Sequence, residues 1–123
     1  MKLHPQAAGT LRTVTGYGPG WIEINAVRHE GALLVQPEAD VVPWPVKAFD
    51  ELTATDFEAI AALQPDLVLL GTGERQRFVH PRLIAALASR RIGLECMDTA
   101  AACRTYNILM TEGRRVLAAL LPL

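Results

Sequence analysis

Leu67-Val68-Leu69-Leu70-Gly71-Thr72-Gly73 is an apolar run that ends in two glycines around a threonine. Such a run reads as a buried strand entering a small-residue loop, where backbone amides can face a ligand. From Asp66 onward the pattern alternates: strand at Leu67 to Leu70, helix at Pro81 to Arg90, strand at Gly93 to Met97, helix at Thr99 to Thr111, strand at Arg115 to Leu121. That alternation implies parallel strands joined by helical crossovers. Pro81 suits a first helical turn, and Leu83, Ile84, Leu87 and Ala88 fall on one stripe.

Upstream the signals differ. Residues 1 to about 18, rich in Gly, Thr and Pro and ending in Gly16-Tyr17-Gly18-Pro19-Gly20, read as a loose arm entering the fold, with the domain itself taken as 16–123 after a loosely ordered 1–15. Trp21 to Val27 alternates as a strand, with Ala32 to Gln36 expected as its hairpin partner across Arg28 to Gly31. Val41 to Val46 is apolar, but Pro43 and Pro45 confine it to an edge strand or an extended connection, with Trp44 plugging the core. Thr55 and Glu58 have capping-box spacing for a helix that buries Phe57, Ile60 and Ala61 and stops before Pro65. The fold class expected is α/β: a single three-layer domain with a mixed, largely parallel sheet, flanking helices and an N-terminal antiparallel hairpin.

Composition narrows the function classes. Twelve basic against thirteen acidic residues give a net charge of −1, without the basic footprint of a nucleic-acid or anionic-membrane protein. No apolar run near the start is long enough for a signal peptide or an anchor, so a soluble cytoplasmic protein is expected. Cys96 and Cys103, seven apart, match neither a zinc pair nor a redox CxxC and read as reduced thiols, Cys103 as a core residue. His4, His29 and His80 lack metal-pair spacing, so neither metal nor cofactor is expected.

In a parallel sheet the loops leaving successive strand ends converge, so Gly71 to Phe78 and Asp98-Thr99 are expected to border one crevice. Gly71 and Gly73 permit close approach, Thr72 offers a hydroxyl, and Arg75 and Arg77 offer guanidinium forks for a carboxylate or phosphate. A tight turn with solvated arginines accounts for the same residues. Asp98 or Thr99 fits a helix N-cap as well as a ligand contact, and Asn107 fits a structural latch against backbone as well as a ligand contact. No residue is assigned a catalytic role. Trp44, beside Pro43 and Pro45, marks a candidate partner-binding patch.

Read together, Gly71-Thr72-Gly73-Glu74-Arg75, Arg91-Ile92-Gly93-Leu94-Glu95, Asp98-Thr99, Ala102-Cys103, Thr105-Tyr106-Asn107-Ile108-Leu109 and Glu112-Gly113-Arg114 resemble the Mth-type α/β domain family. Its members include mitochondrial respiratory complex I assembly factor three and the adipogenesis-associated Mth-domain protein. The resemblance extends over about residues 16 to 123, with Ala26 after Asn25 where relatives often carry glycine. It implies a compact α/β/α domain with a hairpin addition, no established catalytic residue or cofactor, and, from the mitochondrial relative, action through protein partners. Two functions follow as expectations: a non-enzymatic protein-binding or assembly-type factor, possible also as a homo-oligomer, and, as the alternative, a protein binding or acting on an anionic metabolite at the Gly71–Arg77 loop.

Overall fold

A computed structural model describes residues 11–123 of the chain. Strands β1 (Val14–Gly18), β2 (Trp21–Ile24) and β3 (Val27–Glu30) form a three-stranded antiparallel sheet. A second sheet, ordered β5-β4-β8-β6-β7, contains β4 (Leu33–Val35), β5 (Val42–Pro43), β6 (Leu67–Gly71), β7 (Gly93–Met97) and β8 (Val116–Leu120). Within it β6 runs parallel to both β7 and β8, while β4 pairs antiparallel with β8 and β5. The helices are α1 (Ala54–Ala62), α2 (Ala85–Ser89) and α3 (Thr99–Thr111).

Strand side chains alternate between faces, and the apolar runs of β4, β6 and β8 fill two cores at once. Leu34, Val68, Leu70, Leu117 and Ala119 join Trp44, Phe57, Ile60 and Leu87 in one cluster. Leu33, Val35, Leu69, Val116, Ala118 and Leu120 join Ala102, Cys103 and Tyr106 of α3, together with Val14, Ile22 and Ile24, in the other. The result is three layers: α1 and α2, the five-stranded sheet, then α3 beside the small sheet. The mixed α/β architecture follows the sequence reading.

Several local expectations are corrected. The hairpin partner of β2 is β3, not Ala32 to Gln36, and Leu33–Val35 belongs to the other sheet. The turn lies at Asn25 and Ala26, both at positive φ (49° and 68°), the mirror-image geometry that matches strand twist. Alanine in that conformation gives no sequence signal. Val14–Gly18 is a strand where a loose arm ending near Pro19 was expected; the rest of that arm, residues 1–10 with His4, lies outside the described residues.

The α1 capping box is set by Thr53 and Asp56, two residues before the expected Thr55 and Glu58. Phe57, Ile60 and Ala61 are its buried residues, as the periodicity requires. The expected helix from Pro81 to Arg90 is broken: Pro81–Ile84 is a 3₁₀ turn, α2 starts at Ala85, and Ala88 faces solvent. β5 is the edge strand that its prolines demand, and α3 has the bounds expected of it.

Candidate functional site

Gly71 of β6 pairs with Met97 of β7, so the two loops that follow leave from adjacent strand ends. The shared location holds, but the polar groups there are turned toward one another. Thr72 N–H donates to the Met97 carbonyl (2.8 Å), and the Thr72 hydroxyl donates to the Arg75 carbonyl (2.6 Å) while accepting from Arg77 N–H (3.2 Å). Gly73 N–H donates to Thr99 Oγ1 (2.8 Å), Thr99 N–H donates to the Gly73 carbonyl (2.9 Å), and the Thr99 hydroxyl donates to the Leu121 carbonyl (2.8 Å). Thr99 has no exposed surface and Thr72 only 5%. Together these bonds lock β6, α3 and the end of β8.

The glycines explain the closeness of that lock. A Cβ on Gly71 would stand 2.9 Å from Thr99 Oγ1 and 3.0 Å from Thr99 Cα, so only glycine lets the start of α3 lie against the strand. Gly73 has φ +98°, a conformation reserved for residues without a side chain. Asp98 caps α3, its carboxylate accepting from Ala101 N–H at 2.8 Å. The capping alternative read from the sequence therefore describes Asp98, and Thr99 is a buried tie.

Asn107 lies one turn before the end of α3 and binds the backbone of β1. Its Oδ1 accepts from Val14 N–H (2.9 Å) and its Nδ2 donates to the Val14 carbonyl (2.8 Å). Tyr106 donates its hydroxyl proton to the Arg12 carbonyl (2.7 Å). The latch alternative describes Asn107. Burial pushes the Cys103 thiol up to about 12, against a smaller opposing effect of Arg104, so it is a protonated core group. Trp44 is 5% exposed, inside the core, and offers no ring to a partner; its neighbours Val42, Pro43 and Pro45 are exposed.

Outward-facing groups at these strand ends belong to the loop after Gly73. Glu74, Arg75, Gln76, Phe78 and His80 are exposed, Phe78 by 80%. The loop is nevertheless well fastened. Gln76 Nε2 donates to the Cys96 carbonyl (3.4 Å), Val79 N–H reaches the Cys96 thiol, and Arg77 bonds Asp50 (2.9 Å) while stacking 4.2 Å from the Phe49 ring centroid. Burial raises the Cys96 pKa, opposed by that Val79 contact and assisted by Glu95. Phe78 was passed over in the sequence as the end of a turn; an aromatic residue between Arg77 and His80 in a polar loop was the available signal.

A cleft of about 330 Å³ opens at the other end of the sheet, lined among others by Gln36, Glu38, Met110, Arg114 and Arg115. It sits where β8 begins, away from the Gly71 loop, and sequence reasoning did not locate it. Among the described residues no three His, Cys, Asp or Glu side chains are grouped as metal ligands, and no helix is long and apolar enough to cross a membrane.

Comparison with known proteins places this geometry. An uncharacterized Rhodobacter capsulatus protein is 43% identical over 119 residues, covering 97% of this chain and 90% of that protein. NADH dehydrogenase (ubiquinone) 1 alpha subcomplex assembly factor 3 of Bos taurus is 33% identical over 111 residues, which cover 89% of this chain; the match spans 60% of that longer protein. The solution structure of a Bordetella pertussis protein described as a Mth938-like domain superposes with a TM-score of 0.84 at 41% identity, covering 99% of this chain and 92% of that one. The family model for proteins of unknown function DUF498/DUF598 matches residues 14–121. The family match over residues 14–121 and the likeness to these relatives show that the chain belongs to the DUF498/DUF598 family of Mth938-like α/β domains.

Proposed function

We propose that the chain acts as a non-enzymatic, protein-binding factor of the assembly type. One observation carries this reading: the loop at the strand ends spends its hydroxyls and the Gly73 amide on its own scaffold and displays Phe78, 80% exposed, on a fastened backbone. A well-held aromatic flanked by arginines matches the residue types enriched at the core of protein interfaces. A loop already ordered before contact also loses less conformational freedom when it binds. Similarity to the complex I assembly factor 3 proteins supports the same class of role, and a cytoplasmic location is proposed with it.

The test is a photo-crosslinking phenylalanine analogue placed at position 78. The expected result is a discrete adduct with one protein, lost when unlabelled chain competes. A parallel thermal-shift screen with phosphates, nucleotides and carboxylic acids is expected to be silent at this loop. A saturable shift abolished by Thr72→Val or Arg75→Ala would replace the protein-binding reading with an anion site at Gly71 to Arg77.

A further inference from the structure

β7 is an outer strand of the five-stranded sheet, and among the described residues β6 is its only neighbour. Along a strand the backbone N–H and C=O groups of alternate residues point to opposite sides. Ile92 N–H bonds the Leu87 carbonyl and the Cys96 carbonyl accepts from Gln76, whereas the Met97 carbonyl accepts from Thr72 on the β6 side. Ile92, Leu94 and Cys96 therefore face outward. Their two ends are already engaged. Between them, the N–H and C=O of Leu94 and the N–H of Cys96 form an open stretch of edge with no partner among the described residues.

Three features surround that stretch. Gln76 and Val79 tie the Phe78 loop to Cys96, so Phe78, its ring 80% exposed, belongs to the segment held at the upper end of the edge. Arg91, exposed, precedes its lower end, and exposed Arg75 lies next to the Gln76 tie at its upper end. The segment from Glu74 to Glu95 carries five of the chain's twelve basic residues and only two of its thirteen acidic ones, in a protein of net charge −1. An unprotected edge is ordinarily blunted by proline or covered. Edge β5 has its proline; the middle of β7 has no proline, and its one charge is the exposed Glu95.

We infer that β7 is the docking edge for an acidic, extended segment of a partner protein, which adds to the sheet as a sixth strand and seats an apolar side chain against Phe78. Main-chain bonds to Leu94 and Cys96 hold such a segment, the phenyl ring selects an apolar residue, and the arginines at both ends select acidic flanks. The proposal rests on the protein-binding reading and names the chemistry of its partner.

Random peptides of about twelve residues, displayed on phage and selected against the chain, are the probe. The expected consensus alternates β-branched or aromatic residues with polar ones and carries Asp or Glu at its ends. A synthetic consensus peptide should slow hydrogen exchange at the Leu94 and Cys96 amides by about tenfold or more while leaving Val27 to Glu30 unchanged. Phe78→Ala, and separately the pair Arg75→Glu with Arg91→Glu, should each weaken it by about tenfold, with melting temperatures held to verify the fold. Protection appearing at β3, a basic or helical consensus, or protection of Leu94 by the chain's own concentration would each overturn this inference and leave the protein-binding reading standing. Absence of any consensus overturns it too, and the adduct at position 78 then decides whether the broader reading falls with it.

Discussion

Asn107 meets Val14 through both ends of its amide, Oδ1 on the Val14 N–H at 2.9 Å and Nδ2 on the Val14 carbonyl at 2.8 Å. The side chain thus imitates one rung of a β-ladder across 93 residues of sequence and fastens the small sheet to α3. Asn107→Leu leaves both Val14 groups without partners at a partly buried site. The expected loss is about 2 kcal/mol. Urea unfolding measures it, and Asn107→Asp, which keeps the acceptor and loses the donor, should fall between. Equal stability of all three proteins would show that water replaces the rung.

The Gly71–Thr99 contact makes a second prediction, and it concerns shape before chemistry. Gly71→Ala places a methyl 3.0 Å from Thr99 Cα, backbone that has little room to move, so overpacking should cost about 2 kcal/mol. Thr99→Val keeps the volume but removes an oxygen that serves both Gly73 N–H and the Leu121 carbonyl, with a similar expected loss. Thr99→Ser restores most of it. The check is thermal unfolding of the three variants, and a Thr99→Ser protein as unstable as Thr99→Val would refute the hydrogen-bond account.

What could be read in advance divides along the origin of each signal. The buried strand Leu67–Gly71, its parallel neighbour Gly93–Met97 and helix Thr99–Thr111 come from apolar runs and periodicity, which persist whatever surrounds them. Ala26 at φ 68° carries no such mark, because its conformation is imposed by the pairing of β2 and β3. The same limit applies to the site. Glycines at 71 and 73 mark the junction, but whether Thr72 and Thr99 face a ligand or the protein's own backbone depends on atoms more than twenty residues away. Phe78 and the open edge of β7 depend on what fails to cover them, which no local pattern records.

Alkaline pH should weaken the fold through two groups in the α3 core. Burial raises Cys103 from 9.0 to about 12 and raises Tyr106 above its ordinary value, Arg104 and Arg12 opposing in turn. A group whose folded pKa lies above its unfolded one stabilises the fold fully below the unfolded value, and that contribution fades as pH rises toward the folded value. Stability should therefore be flat through pH 8 and fall progressively between about 9 and 12. Tyr106 adds to the fall by losing the proton it donates to the Arg12 carbonyl. Denaturation curves across this range check the slope, and Cys103→Ala should shallow it while lowering stability at neutral pH. In the native state at pH 8 the Cys103 thiol should resist iodoacetamide; rapid alkylation without unfolding would contradict a closed core.

The last prediction separates stability from docking at Phe78. Its ring is 80% exposed, while the loop beneath is held by Thr72, Gln76 and Arg77. Phe78→Ala should accordingly change unfolding stability by no more than about 0.5 kcal/mol, the range for surface positions. Thr72→Val removes the hydroxyl that joins Arg75 and Arg77, so it should loosen the loop and cost about 1 to 2 kcal/mol. Both variants should lose the crosslinked partner, the first by deleting the anchor and the second by disordering its support. Adding a stabilising osmolyte should recover the Thr72→Val interaction in part and the Phe78→Ala interaction not at all. Recovery of both, or of neither, would mean that the fastened backbone and the exposed ring do not act as one unit.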